Sequence, residues 1–173
     1  KNGAYEVKDP AVISQLVELV TKEGKSPKTE FVGKSAKYIL DKIGISVGDD
    51  VKVILMETKE DHPFVQVELM MPILPLVRVP DVDQAIEMAV WVEHGNRHTA
   101  MMHSRNVEKL TKMARLIQTT IFVKNGPSYA GIGVGGEGYT TFTIAGPTGE
   151  GLTSAKSFAR RRRCVLVGGM DVR

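Results

Sequence analysis

The sequence predicts an α/β protein. Three observations carry that expectation. Short runs of strand length, such as Val51–Met56 and Thr120–Val123, alternate with windows of helical periodicity. Residues that cap helices stand in front of those windows: Asp9, Ser35, Asp81 or Asp83, and Asn106. An apolar fraction of 42% and a charged fraction of 25% over 173 residues give a globular composition with enough material for a real core.

Each element has its own local reason. Asp9-Pro10 supplies an N-cap acceptor and a proline whose missing N–H costs nothing at the first helical position. Val12, Ile13, Leu16, Val17 and Val20 then form one helical face. Gly24 to Pro27 reads as a loop. Ser35 caps a short helix carrying Tyr38, Ile39 and Ile43 and stopped near Gly44, and Gly48-Asp49-Asp50 is a turn. Val51–Met56 is a strand, and Val65–Leu69 alternates as another. Pro72, Pro75 and Pro80 punctuate an extended segment. The next helix turns Val82, Ala85, Ile86, Ala89 and Val90 inward and ends at Gly95-Asn96.

Thr99 to His103 follows as a short strand. Asn106 caps a helix with Val107, Leu110, Ala114 and Ile117 inward, and with Lys112 and Arg115 near its negative C-terminal end. Thr120–Val123 is a strand. Gly126–Gly151 is rich in glycine, with a strand expected at Thr140–Ile144. A short helix at about Glu150–Ala159 and a final strand, Arg162–Val167, complete the pattern.

Charge and cysteine content exclude several function classes. Net charge is +3, and much of the excess sits in Arg160–Arg163. A nucleic-acid surface spreads its basic residues and interleaves aromatics, and here aromatics are few, so no nucleic-acid partner is expected. The arginine run reads as a solvated or subunit-contact surface, with an anion contact as the alternative. Cys164 has no partner for an internal disulfide, which suits a reducing cytoplasm, and among apolar neighbours it is expected to be buried and inert. No apolar run reaches the ~18 residues of a membrane span. The first residue is Lys1 rather than methionine, which suggests an internal boundary.

Four motifs carry chemistry. Gly131–Gly136 has the spacing G-x-G-x-x-G, but a strand-like stretch follows where a dinucleotide fingerprint needs a helix, so a flexible or closely packed loop is expected. Gly146–Thr153 has P-loop spacing with Leu152 in place of the lysine, which leaves triphosphate charge unmet. His94 and His98 lie four apart, but Gly95-Asn96 breaks the helical turn that would bring them together, so no metal site is expected. His98 stands where a helix ends and a strand begins, a usual place for site residues, although a satisfied structural histidine is the favoured reading of the residues alone. Glu68 interrupts an apolar stretch, either as the solvent face of a strand or as a carboxylate for sugar hydroxyls.

Three longer stretches say more. Glu93–Ser104, Thr120–Gly131 and Gly135–Thr153 resemble the bacterial CoA-acylating acetaldehyde and propionaldehyde dehydrogenases of ethanolamine and propanediol utilisation. The resemblance covers essentially the whole chain. It implies part of an aldehyde dehydrogenase-like catalytic domain over 1–159 and a C-terminal oligomerisation strand and tail over 160–173. It also implies NAD and coenzyme A as co-substrates, a small aldehyde, a homo-oligomer, and a cytoplasmic setting or a bacterial microcompartment with its shell. Glu68–Ile73 occupies the place of the Glu-Ile-Phe-Gly-Pro-Val-type segment. By that likeness Glu68 contacts the nicotinamide ribose, and Met70 replaces the aromatic that packs against the ring. His98 matches the histidine kept near the reactive cysteine.

The family's nucleophile lies upstream of the stretch resembling Lys1–Tyr5, and Cys164 does not match its motif. The isolated chain is therefore expected to be inactive. A non-catalytic binding or oligomerisation module is the alternative, and a thiol-redox role for Cys164 is a third reading.

Overall fold

Asp9 opens the first helix in the computed structural model, which describes residues 2–136, 144–145, 151–165 and 167–168. The chain divides into two compact units, Lys1–Val92 and Glu93–Arg173.

In the first unit three parallel strands form one sheet in the order β1 (Ala4–Val7), β4 (Val53–Glu57), β5 (Ile73–Leu76). Ala4 pairs with Val53, and Ile54 pairs with Ile73. Ile54 and Met56 of the central strand are fully buried. Helix α1 (Pro10–Val20) and helix α2 (Ala36–Asp41) supply Leu16, Val20, Ile39 and Leu40 to the same core. The two helices start as their caps dictate: Asp9 Oδ1 accepts from the Ala11 amide at 2.9 Å, and Ser35 Oγ accepts from the Tyr38 amide at 3.2 Å. Such a cap is worth about 1 kcal/mol, and a core leucine such as Leu16 about 2–5 kcal/mol against alanine.

The first unit corrects two expectations and sharpens a third. Gly24 to Pro27 is not all loop: β2 (Thr21–Lys22) and β3 (Ser26–Pro27) form a small hairpin. Its turn puts Glu23 and Gly24 at φ 53 and 69, and glutamate in a left-handed conformation leaves no sequence signal of a turn. Val65–Leu69 is not a strand. His62 Nδ1 accepts from the Phe64 amide at 3.2 Å, Pro63 takes the first helical position, and a short helix α3 (Pro63–Gln66) results. The proline-punctuated segment is a strand, β5. Pro75 is tolerated because β5 is the outer strand of this sheet, where a missing N–H takes nothing from the ladder. Helix α4 (Val82–Val92) follows, with Asp81 Oδ1 accepting from the amides of Asp83 and Gln84. Of its expected inner face only Ile86 is buried.

The second unit is built on a β–α–β element. Strand β6 (Thr99–Met102) runs parallel to β7 (Ile121–Lys124), with helix α5 (Val107–Ile117) between them in sequence. Asn106 caps α5 by accepting from the Lys109 amide at 3.0 Å. Leu110, Met113 and Ile117 are the buried face of α5. Val107, expected inward, is 70% exposed, because at 3.6 residues per turn it lies about a quarter-turn from the centre of that face. Asn125 ties the two strand ends together: its Oδ1 accepts from the Ser104 amide at 2.7 Å and its Nδ2 donates to the Ser104 carbonyl at 2.9 Å.

A 3-10 turn at Ser128–Ile132 packs Ile132 against Ile121 and Val123 of β7. A Cβ on Gly131 would stand 2.2 Å from Ile121 Cγ2, so this glycine serves close packing, as the loop reading of Gly131–Gly136 anticipates. Beyond it, β8 (Ile144–Ala145) pairs antiparallel with β9 (Gly151–Leu152). The expected strand Thr140–Ile144 and the Gly146–Gly149 motif lie largely outside the described residues. The helix expected over Glu150–Ala159 is a 3-10 turn confined to Ala155–Phe158. Among the described residues of Arg162–Val167 none is in a strand within this chain, and Cys164, expected buried, is exposed. No helix of the described residues is long and apolar enough to cross a membrane.

Candidate functional site

Two segments carry the residues singled out from the sequence, one in each unit.

In the first unit Glu68 and Met70 sit on the link between α3 and β5. Leu69 between them is buried in the core, and this one anchor turns both neighbours outward. The alternation that suggested a strand is thus real, although no ladder forms. The link is also held by its backbone: the Val67 amide donates to the Pro63 carbonyl at 2.9 Å, and the Gly33 amide donates to the Met70 carbonyl at 3.1 Å. The Ile54 amide then reaches the Pro72 carbonyl at 2.8 Å.

Met70 adopts φ 53 and is 59% exposed. A left-handed, non-glycine residue costs about 1–3 kcal/mol, and such strain collects at ligand-binding sites. Glu68 is exposed and makes no hydrogen bond or ion pair to a described residue. A free carboxylate beside an outward thioether fits a nicotinamide-ribose contact: the oxygens can accept from hydroxyls, and the apolar chain can lie against a ring.

Upstream, the environment of His62 shifts its titration. Partial burial pushes its pKa below the ordinary histidine value, against a smaller opposing pull from Asp61. The neutral ring is the one that can accept from Phe64.

In the second unit His98 lies on the turn between α4 and β6. The turn is tightly wound, with His94, Gly95 and Arg97 at φ 55, 75 and 53. Polar bonds hold it. Glu93 Oε1 accepts from the His98 amide at 3.3 Å, and the Glu93 carbonyl accepts from Asn96 Nδ2 at 2.9 Å. The start of β7 grips the other side, as the Thr120 amide reaches the Arg97 carbonyl at 2.9 Å and the Ile121 amide reaches the His98 carbonyl at 3.2 Å. The ring itself is fixed by its neighbour: His98 Nδ1 lies 2.7 Å from Thr99 Oγ1. His98 is exposed. Glu93 and Thr99 carried no signal of their own in the sequence, since neither a helix-terminal glutamate nor a strand threonine is distinctive. Among the described residues no group of three His, Cys, Asp or Glu side chains could hold a metal ion.

The chain is an α/β protein with one of these exposed segments in each unit. It is homologous to one portion of the CoA-acylating aldehyde dehydrogenases and has the fold of that portion. No family model matches the chain. The propanal dehydrogenase (CoA-propanoylating) of Salmonella typhimurium is 52% identical over 165 residues, which are 95% of this chain and 35% of that protein. The chain thus spans about a third of the length of this curated relative.

Among solved structures, propionaldehyde dehydrogenase of Rhodopseudomonas palustris, with bound CoA and an acylated cysteine, matches with a TM-score of 0.89 and 72% identity, over 95% of this chain and 38% of that one. An engineered glycolyl-CoA reductase with bound NADP+ matches with a TM-score of 0.89 and 70% identity, over 99% and 39%. A propionaldehyde dehydrogenase from the fucose utilisation microcompartment of Clostridium phytofermentans matches with a TM-score of 0.87 and 47% identity, over 100% and 39%.

Proposed function

We propose that this chain is the C-terminal portion of an enzyme that converts a short aldehyde, NAD(P)+ and coenzyme A to acyl-CoA and NAD(P)H. The observation that carries the reading is the 52% identity, along 95% of the chain, to a CoA-propanoylating dehydrogenase. Aldehyde carbon is held as a thioacyl group on a cysteine outside these 173 residues, and CoA thiolate then takes the acyl group. Splitting the reaction this way turns one hard step into two easier ones.

The chain's own contributions are positional and acid–base. His98 accepts or donates a proton beside the two thiols, as an imidazole with one donor and one acceptor nitrogen can. Glu68 accepts hydrogen bonds from the nicotinamide ribose, and Met70 packs against the ring. NAD(P)+, when bound, supplies the hydride acceptor. Residues 160–173 form a contact between copies in a homo-oligomer, a role supported by their exposure wherever they are described. A setting inside a microcompartment is supported by the Clostridium phytofermentans relative. The isolated chain, without the nucleophile, is inactive.

A segment swap tests the reading. The matching third of the Salmonella typhimurium propanal dehydrogenase is replaced by these 173 residues, and NADH formation is followed with propanal and CoA. CoA-dependent turnover is expected from the swapped enzyme and none from the isolated chain. A swapped enzyme that keeps the parent's melting temperature and assembly size but shows no turnover would contradict the proposal.

A further inference from the structure

We propose that Thr99 is a positioning residue for His98: its hydroxyl accepts a hydrogen bond from Nδ1–H and thereby presents the Nε2 lone pair as the proton acceptor. The inference rests on the reading of His98 as the acid–base group.

The geometry that carries it is the 2.7 Å contact between His98 Nδ1 and Thr99 Oγ1. An exposed imidazole on a turn would otherwise rotate and exchange tautomers freely. Here its backbone is already fixed on both sides, through the Glu93 carboxylate at the His98 amide and through the Ile121 amide at the His98 carbonyl. Thr99 is fixed as well, because it is the first residue of β6 and pairs with Ile121. With both backbones held, the hydroxyl sets the last two variables, ring orientation and tautomer. Nε2 makes no hydrogen bond to a described residue, so it is the nitrogen left to exchange a proton.

A hydroxyl can pair with Nδ1 in either sense. Only Nδ1–H donating to Oγ1 leaves a lone pair on Nε2. That arrangement also persists unchanged when Nε2 takes up a proton, since Nδ1 remains a donor in the imidazolium. The same bond therefore serves the base before transfer and the acid after it.

The test uses the full-length acylating enzyme and a double-mutant cycle. Thr99→Val keeps the β-branched shape in the strand and removes the hydroxyl, and Thr99→Ser restores it. Thr99→Val is expected to lower kcat about five- to tenfold with little change in the aldehyde KM, and Thr99→Ser to recover to within about twofold. In a His98→Ala background Thr99→Val is expected to do nothing further. Equal losses from Thr99→Val in both backgrounds would show that the hydroxyl acts apart from His98 and would overturn the proposal, as would an unchanged kcat in Thr99→Val. If His98→Ala itself leaves kcat intact, the acid–base reading beneath it has failed. Nitrogen NMR of histidine-labelled 173-residue chain gives an independent readout. The Nδ1–H tautomer of His98 is expected to dominate in the wild type and to lose its dominance in Thr99→Val. A wild-type ring protonated at Nε2 when neutral would also overturn the assignment, whatever the kinetics.

Discussion

The two segments that carry the proposed site residues, one in each unit, are held by different side-chain means. In the Glu68–Met70 link the side chain that is held is an apolar anchor, Leu69, which is buried and turns its neighbours out, with backbone bonds beside it and no side-chain hydrogen bond. The Glu93–Thr99 turn has no buried side chain, and it is fixed by polar bonds at Glu93, Asn96 and Thr99 and by the start of β7. A hydrophobic anchor is strong but non-directional, so it sets which way a chain faces and little else. Hydrogen bonds are individually weak against water but directional, so they can set the angle and tautomer of a ring. A ribose contact needs the first kind of support, and proton transfer needs the second.

That contrast predicts different failures. The largest effect belongs to the turn: His98→Ala in the full-length enzyme is expected to slow turnover about 10²–10⁴-fold while leaving the melting temperature nearly unchanged. Next is the anchor. Leu69→Ala is expected to cost about 2–5 kcal/mol in urea unfolding and to weaken cofactor binding only indirectly. Glu68→Gln is expected to raise the cofactor KM about tenfold with kcat nearly intact, since a charge-assisted acceptor becomes a neutral one, and an unchanged KM would count against the ribose contact.

Met70→Gly separates support from function. Relief of the left-handed backbone is expected to raise stability by about 0.5–1 kcal/mol while the cofactor KM rises, the trade expected of a strained site residue. The smallest effect concerns His62. Its folded pKa lies below the unfolded value, so the unfolded chain binds more protons in that range, and stability falls as pH drops below the ordinary histidine value. Melting curves at neutral and mildly acidic pH check this, and His62→Asn, which keeps a capping acceptor but does not titrate, is expected to flatten the difference.

Local chemistry was readable wherever a residue acts on its own neighbours. Asp9-Pro10, Ser35 and Asn106 announced their helices, and all three cap as their side chains allow. Readings that depended on tertiary context went astray. Val65–Leu69 has strand composition, but the cap at His62 and the proline after it start a helix first. The segment punctuated by Pro72, Pro75 and Pro80 was legible only as extended, and its pairing with the central strand is what makes it a strand. Val107 was placed inward by spacing alone, whereas Met113 holds that face instead. Cys164 has apolar neighbours in sequence, but it is exposed.

The site was legible in a different way. No periodicity separates Glu68 from a solvent-facing strand residue, or His98 from a structural histidine, so both rested on the longer resemblance. The structure adds what a resemblance cannot supply: the buried Leu69 beneath Glu68 and Met70, and the Thr99 hydroxyl against the His98 ring.

His98 is proposed to act at the thiols, and acyl transfer to CoA measures that step alone. The full-length enzyme is loaded with one acyl group from propanal and NAD(P)+, which leaves with the hydride as NAD(P)H, then freed of excess substrate and mixed with CoA, and acyl-CoA release is timed in a single turnover. The account predicts that His98→Ala slows this release at least about 100-fold. Equal release rates in the variant and the wild type would contradict it.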